Sequence, residues 1–350
     1  MLNRPAIASM SIGRPGIHSL PEKLRQAANY GFQGIELFYE DLEYLAHTHH
    51  DGSIIAAARH TRQICDSLSL EIVNLQPFSF YEGLLDRAEH DRMVTDKLSL
   101  WFSLVRILGT DLIQIPSNFL PPDPVSGAPR TTGELDVIVS DLRKVADLGL
   151  KQSPPVRFAY ESLCWGTHVS TWEECWAIVQ LVNRSNFGIC LDTFNIAGRI
   201  YADPESPTGK TPNAEAALEV SISRLIRTID PAKVFFVQVV DAERLPIPLV
   251  KGHPFYHEQQ PARMSWSRNA RLFAFEEDRG GYLPIIDVAR AFVATGFQGW
   301  WSLELFSRTL ADPDPRTPQR HAKRGIESYL KLENALQLSD HLSSVRQHRL

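Results

Sequence analysis

The sequence has little cysteine, no excess of basic residues and no long apolar run, and each shortage excludes a class of protein. Its 4 cysteines in 350 residues form no C-x-x-C pair, which argues against a disulfide-rich secreted scaffold. The net charge of -5 argues against a nucleic-acid-binding surface. No apolar stretch approaches the ~20 residues that cross a bilayer, and the first residues lack a secretory h-region. We therefore expect a cytoplasmic protein with free thiols and no nucleic-acid or membrane partner.

Strand and helix patterns alternate along the chain, and the alternation occurs eight times. Segments with a 3.6-residue period separate eight short runs rich in β-branched and aromatic residues. The runs lie at residues 5–12, 34–39, 70–78, 112–117, 156–162, 187–194, 233–241 and 299–306. Near-continuous apolar strands are typical of parallel sheets that are buried on both faces, so the pattern predicts an α/β protein folded as a (β/α)8 barrel. The alternative is an open doubly wound sheet, but the G-x-G-x-x-G turn expected of it is absent.

The chain shows no internal domain boundary. We predict a single catalytic barrel over residues 1–336, followed by a polar tail at 337–350. Two connections that follow strands are long: residues 40–51, which contain HTHHDG, and residues 242–283, which extend the loop after the seventh strand. We expect the first to be a solvated, histidine-rich loop. Connections as long as the second are usually lids or binding segments.

Four oxygen-donor side chains lie in four different apolar runs: Glu161, Asp192, Gln238 and Glu304. A carboxylate in an apolar strand costs several kcal/mol unless it is compensated. The repetition of this cost favours convergence on one shared cation, with a network of structural ion pairs as the alternative. Each donor lies late in its run, and the carboxyl ends of barrel strands form the active site. Such oxygen donors suit Mg²⁺, Mn²⁺ or a similar hard divalent ion rather than a thiolate-seeking one.

Other polar residues on the same side of the predicted barrel are candidates for binding substrate. Arg271 follows Ser267 by four residues in the long segment, and arginine is the preferred partner of a substrate carboxylate. The alternative is an arginine-rich surface loop paired with the acids that follow it. Tyr81 follows the third run and His253 lies in the long segment, so both are candidates for the rim. Glu36 in the second run is a further carboxylate, or an acid that orients a ligand.

Several long and uncommon strings carry a family resemblance. They are IELFYEDL, NLQPFSFYEGLLDR, IQIPSNFLP, YESLCW, CLDTFNIAGR, VQVVDAE, ARMSWSRNARLF and WSLELF. From Ala6 to Leu336 the sequence resembles the 3-dehydroshikimate dehydratases of the fungal quinate-degradation pathway. These belong to the xylose-isomerase-like, sugar-phosphate isomerase/epimerase group of TIM barrels. The resemblance implies that a small-molecule carboxylate, 3-dehydroshikimate, loses water to give protocatechuate.

The resemblance also implies the identity of the site residues. Its metal positions correspond to Glu161, Asp192, Gln238 and Glu304, which hold one divalent ion (Mg²⁺, Mn²⁺ or Co²⁺). Its substrate-holding residues correspond to Ser267 and Arg271, and Tyr81 and His253 complete our substrate-binding candidates. The alternatives are a metal-dependent sugar or ketose isomerase or epimerase of the same barrel group, whose chemistry shares the enolate step, and a non-catalytic sensor, which need not retain all four ligands.

This chain departs from related bacterial sequences at two positions where they carry histidine. Asn195 stands three residues after the metal aspartate, and Leu163 stands in the Glu-x-His position that follows the fifth strand. Our catalytic candidates are Glu161, Glu304 and Asn195. The proton acceptor stays open between a metal-bound carboxylate or water and a loop histidine such as His253. The sequence does not indicate an oligomeric state.

Overall fold

The computed structural model of the chain describes residues 3–338. Eight parallel strands form a closed barrel, in the order β1-β10-β7-β6-β5-β4-β3-β2, and β8 and β9 form a separate two-stranded antiparallel sheet. The strands are β1 (Arg4–Ala8), β2 (Gly34–Phe38), β3 (Glu71–Gln76), β4 (Leu112–Pro116), β5 (Arg157–Glu161), β6 (Phe187–Asp192), β7 (Val234–Gln238), β8 (Asp241–Ala242), β9 (Arg271–Leu272) and β10 (Trp300–Leu303). The predicted (β/α)8 barrel is confirmed.

Helices surround the barrel and cover the outer face of its strands. They are α1 (Leu20–Asn29), α2 (Tyr39–His49), α3 (Ile54–Ser67), α4 (Arg87–Arg92), α5 (Ser99–Leu108), α6 (Leu135–Leu150), α7 (Trp172–Val182), α8 (Thr193–Ile200), α9 (Ala214–Thr228), α10 (Ala262–Ala270), α11 (Ile285–Ala294) and α12 (Thr317–Leu336). A π-helical stretch, Met93–Leu98, joins α4 to α5. No helix within the described residues has both the length and the apolarity to cross a membrane.

The observed strands are shorter than the apolar runs that predicted them. The strand in the run at 187–194 ends at Asp192, because helix α8 begins at Thr193. The run at 233–241 leaves the barrel after Gln238, and the run at 299–306 leaves it after Leu303. Apolar character continues past these ends because the following turns are also buried. The strands therefore stop at or next to the predicted oxygen donors.

The prediction of a solvated loop at residues 40–51 is wrong, since helix α2 covers most of this segment. Leu42, Leu45 and Ala46 are buried on one face of the helix, at the spacing that an amphipathic helix requires. The polar HTHHDG string at the end of this segment favoured a loop, although the apolar residues before it have helical spacing. His47 and His49 lie in the last turn of the helix.

The long connection between β7 and α11 contains its own secondary structure. Residues 239–284 include β8, helix α10 and β9, and the β8–β9 pairing brings Asp241 opposite Leu272. The side chain of Asp241 accepts hydrogen bonds from the backbone of Tyr282 and Leu283, which fixes the far end of the segment. Ser267 of the predicted site lies in helix α10, and Arg271 directly follows the helix as the first residue of β9. The predicted tail at 337–350 lies almost entirely outside the described residues.

Candidate metal centre

The four predicted donors lie together at the carboxyl ends of four strands. Glu161, Asp192 and Gln238 are the last residues of β5, β6 and β7, and Glu304 directly follows β10. Their exposed fractions are 3%, 2%, 0% and 4%, in chain order. Four neighbouring strands of the barrel, β5, β6, β7 and β10, therefore direct polar side chains into one buried space.

The carboxylates converge closely enough to bind one ion. Glu161, Asp192 and Glu304 each offer an oxygen, and these three oxygens lie within 4.8 Å of one another. Carboxylate oxygens bind hard divalent cations at about 2.0–2.6 Å. Two oxygens on opposite sides of one ion are therefore about 4–5 Å apart, which matches the separation of these three oxygens. The three acids can hold one divalent metal ion.

Gln238 fits as a fourth ligand because of how its amide is oriented. Its Nε2 donates to both oxygens of Glu36, at 3.2 and 3.0 Å. Its Oε1 is buried and has no hydrogen-bond partner among the described residues. A buried acceptor without a partner is costly, and a cation would satisfy it. Asp192 and Gln238 are also direct partners in the β6–β7 register, which places the amide beside the carboxylate.

Asn195 holds two of the acids in place. Its Nδ2 donates to Glu161 Oε1 at 2.9 Å and to Asp192 Oδ2 at 2.7 Å, and its Oδ1 accepts from the backbone N–H of Cys164 at 2.9 Å. Both amide hydrogens are therefore used on predicted metal ligands. A carboxamide is not a proton acceptor at neutral pH. The geometry gives Asn195 a positioning role rather than the catalytic role that we predicted.

Arg271 lies against the acids themselves. Its Nη1 donates to Asp192 Oδ2 at 3.1 Å and to Glu304 Oε2 at 3.2 Å, and its Nε donates to Ser267 Oγ at 3.0 Å. The guanidinium packs over the rings of Phe194 and Phe306, with its central carbon 4.1 and 5.1 Å from their centroids. These contacts fix its orientation, so Arg271 adds a permanent positive charge to the site. Nη2 makes no hydrogen bond to the described residues.

Burial raises the pKa of each acid in the centre. The pKa of Glu304 rises to about 8 because burial disfavours its charge, while nearby Arg271 opposes the rise. Burial, and then the charges of Glu304 and Asp192, hold the pKa of Glu161 well above its usual range. The pKa of Asp192 is raised by burial and lowered in part by Arg271. One arginine does not compensate three acids, which is the electrostatic situation that a divalent cation resolves.

Glu36 lies deeper in the barrel, and amides surround it. Burial raises its pKa to about 7, against hydrogen bonds that include those from Asn74 and Gln238. Asn74 and Gln76 donate to its Oε2 at 3.0 and 2.8 Å. Because it accepts from Gln238 Nε2, Glu36 turns the amide oxygen of Gln238 away from itself. It has the ligand-orienting position that was one of its two predicted roles.

Two predicted substrate residues make their contacts elsewhere. Tyr81 is fully buried, and its hydroxyl donates to the backbone carbonyl of Asp141 in α6 at 2.9 Å. His253 Nδ1 accepts from the backbone N–H of Phe255 at 3.0 Å within the long segment. The hydrogen bonds of the described residues link neither side chain to the acids. Tyr81 therefore serves packing, because its hydroxyl is already used in the wall behind the barrel.

The sequence analysis missed a set of buried amides around the acids. Gln114 in β4 donates to Glu161 Oε2, and Asn74 and Gln76 in β3 surround Glu36. Each is a polar residue inside an apolar strand, which is the pattern that identified the four donors. The same reasoning applied to EIVNLQ and LIQIP would have found them. The four cysteines are free and buried, as predicted, and burial raises the pKa of Cys164 to about 12, which keeps its thiol protonated.

Comparisons with known proteins agree with this architecture. The model of the family described as xylose isomerase-like TIM barrel matches residues 24–332. The 3-dehydroshikimate dehydratase of Neurospora crassa is 55% identical over 97% of this chain and 96% of its own length. The 3-dehydroshikimate dehydratase of Pseudomonas aeruginosa is 32% identical over 90% of this chain, which spans 40% of that protein. A solved xylose isomerase-like TIM barrel/4-hydroxyphenylpyruvate dioxygenase fusion protein matches with a TM-score of 0.71 and 28% identity, over 98% of this chain and 45% of the other.

Metal binding should release protons and should therefore strengthen with pH. Below about pH 8 the metal-free acids retain protons, since the pKa of Glu304 is about 8 and that of Glu161 is also raised. Release of one proton per ion gives a rise in Mn²⁺ affinity of about tenfold per pH unit, levelling off once the acids are ionised. Titration calorimetry at pH 6, 7 and 8, in two buffers of different ionisation enthalpy, measures both the affinity and the protons released. An affinity independent of pH would contradict the assignment of these acids as ligands.

Replacement of Asn195 should weaken metal binding without unfolding the barrel. Asn195→Ala leaves Glu161 and Asp192 without their shared donor, and loss of such outer contacts costs about 10–100-fold in metal affinity. Asn186 is a matched control: it is also a buried asparagine, and its Nδ2 donates to the backbone carbonyls of Ala146 and Val156. Asn186→Ala should lower the melting temperature and leave Mn²⁺ affinity unchanged. Equal metal affinities in the two variants would remove Asn195 from its positioning role.

Proposed function

The chain belongs to the xylose isomerase-like TIM barrel family, and from this premise we propose that it is a hydro-lyase that converts 3-dehydroshikimate to protocatechuate and water in quinate and shikimate catabolism. One observation carries the proposal. Three carboxylates converge within 4.8 Å, beside the unpartnered oxygen of Gln238, in a chain 55% identical to a 3-dehydroshikimate dehydratase. The donor set supports a cation site, and the relative supports the dehydration reaction.

The donor set indicates which ion the centre takes. Three carboxylates and one amide oxygen form a hard, oxygen-only ligand set, and the described residues bring no histidine or thiolate into it. We assign the site to Mg²⁺, Mn²⁺ or Co²⁺ on this basis. Glu161, Asp192, Gln238 and Glu304 would hold such an ion, which would supply Lewis-acid polarisation to a ketone oxygen.

The dehydration requires a base and an acid near the reacting carbons. A proton leaves the carbon next to the ketone, the β-hydroxyl departs as water after it is protonated, and tautomerisation gives the aromatic ring. Asn195 cannot accept the proton, because it is an amide and both of its N–H groups are donated. We assign proton transfer to the carboxylates of Glu161 and Glu304, which lie together with Asp192 in the buried centre.

Arg271 and Ser267 are our assignment for holding the substrate carboxylate. Nε and Nη1 of Arg271 are engaged by Ser267 and the acids, which leaves Nη2 for the substrate. The arginine also changes the charge of the centre. With three ionised acids alone, a divalent ion would be more than neutralised, whereas Arg271 brings the set to neutrality. A neutral site accepts an anionic substrate without net repulsion.

An absorbance assay for the catechol product tests the function. Purified protein with added Mn²⁺, Mg²⁺ or Co²⁺ should convert 3-dehydroshikimate to protocatechuate. Chelation should remove the activity, and metal should restore it. The absence of product with each metal would favour a ketose isomerase or epimerase, which can be assayed with sugar substrates.

The variant Glu304→Gln tests the ligand assignment. The amide keeps the size of the side chain but removes a negative ligand and a proton acceptor, so turnover should fall at least about 100-fold. The metal-free variant should remain folded, because one buried charge with a raised pKa has been removed. Glu219→Gln, at an exposed position on α9, is the control and should behave as wild type. Wild-type turnover in Glu304→Gln would exclude this residue from the centre.

A further inference from the structure

A cavity of about 380 Å³ lies beside the metal centre, and the mechanism above does not use it. The turn after β5, helix α8 and the segment that leads into α10 line this cavity, through residues that include Cys164, Trp165, Arg199, His257 and Arg263. Its volume is within the range of small-molecule sites, roughly 300–1,000 Å³. A second cavity, of about 300 Å³, is lined by the first residues of several strands and so lies at the opposite end of the barrel from the donors. We assign only the first to the chemistry.

Two residues, Cys164 and Asn195, link the wall of the cavity to the metal ligands. Cys164 lines the cavity, and its backbone N–H donates to Asn195, which in turn donates to Glu161 and Asp192. Asn195 and Arg199 lie four residues apart on α8, so they lie on the same side of the helix. Asn195 faces the metal ligands and Arg199 lines the cavity. Helix α8 therefore borders both the cavity and the metal centre.

Three arginines lie near Cys164, and they differ in how far they are exposed. Arg199 is exposed, Arg263 is half-buried and Arg271 is buried. The charges of all three reach the thiol of Cys164 and oppose the rise that burial causes in its pKa, as expected if the sulfur lies between the cavity and the centre. The acids that line the cavity, Glu205 and Glu258, are both exposed.

The arginines differ in how freely they can meet a ligand. Arg263 donates to the backbone carbonyls of Gly198 and Ala202, both at 2.8 Å, and lies 3.9 Å from Asp203. These bonds attach the start of α10 to α8. Arg199 makes no hydrogen bond or ion pair through its side chain within residues 3–338. Arg271 and Arg263 each use two of their three guanidinium nitrogens in these bonds, whereas all three of Arg199 are available within the described residues.

We propose that this cavity is the entry chamber for the anionic substrate, and that Arg199 makes the first contact with the substrate carboxylate. The inference rests on the proposed function and adds a binding step before the carboxylate reaches Arg271. An arginine fork matches a planar carboxylate, and the contact is made before the buried centre is reached. Arg199 therefore affects capture of the substrate and not its conversion. Glu205, in the same wall, opposes capture by repulsion.

Steady-state kinetics with the metal-loaded full chain tests this inference. Arg199→Gln should raise KM for 3-dehydroshikimate by about three- to tenfold and leave kcat within about twofold of wild type. Arg199→Lys should recover part of the loss, because it restores the charge without the fork. Glu205→Gln should lower KM. Arg227→Gln, at an exposed position on α9 outside the cavity, is the matched control and should not change KM.

Opposite effects of the arginine and glutamate variants would be evidence against a merely structural role. A second readout is salt: raising ionic strength should increase KM of the wild type, and should do so less in Arg199→Gln. A KM in Arg199→Gln equal to that in Arg227→Gln, or a fall in kcat at unchanged KM, overturns the inference while wild-type turnover preserves the proposed function. Absence of turnover in the wild type overturns both.

Discussion

The concentration of negative charge inside the barrel is the constraint on which the site depends. Glu161, Asp192 and Glu304 are buried with a single guanidinium, that of Arg271. Burial of ions in an apolar interior costs several kcal/mol each unless attraction and hydrogen bonds compensate it. The raised pKa values of all three acids express that cost. A divalent ion together with Arg271 would balance the charge of the three acids, so the burial that makes the metal-free centre unfavourable also favours the binding of a cation.

Buried amide side chains hold the acids of the centre, and Glu36 beside it, in position. Gln114 and Asn195 donate to Glu161, while Asn74 and Gln76 donate to Glu36. An amide can satisfy a carboxylate without adding charge, so it orients the acid while leaving its demand for a cation intact. Asn195 is the example with the clearest consequence. It is a fixed donor between two ligands, at a position where a histidine would add a titratable group.

The sequence could predict the barrel and the four donors because both depend on local patterns. Alternating apolar runs specify parallel strands, and a carboxylate at the end of such a run specifies a functional position. Arg271 could be found as an arginine in a long loop, but its ion pairs with Asp192 and Glu304 could not. Those contacts depend on the path of residues 239–284, which no periodicity describes. Tyr81 shows the same limit, since its burial against α6 follows from tertiary packing and not from its place after β3.

The direct passage of β6 into α8 has a consequence for how such an enzyme changes. Asp192 ends the strand, and its Oδ1 accepts from the backbone N–H of Phe194 and so caps the helix, while its other oxygen meets Asn195 and Arg271. No connecting residue exists whose insertion or loss would leave the carboxylate in place. Residues 239–284, in contrast, can change length without moving the end of any barrel strand. The β6–α8 side of the mouth is therefore held to a single geometry. New substrate preferences have to arise on the side formed by residues 239–284.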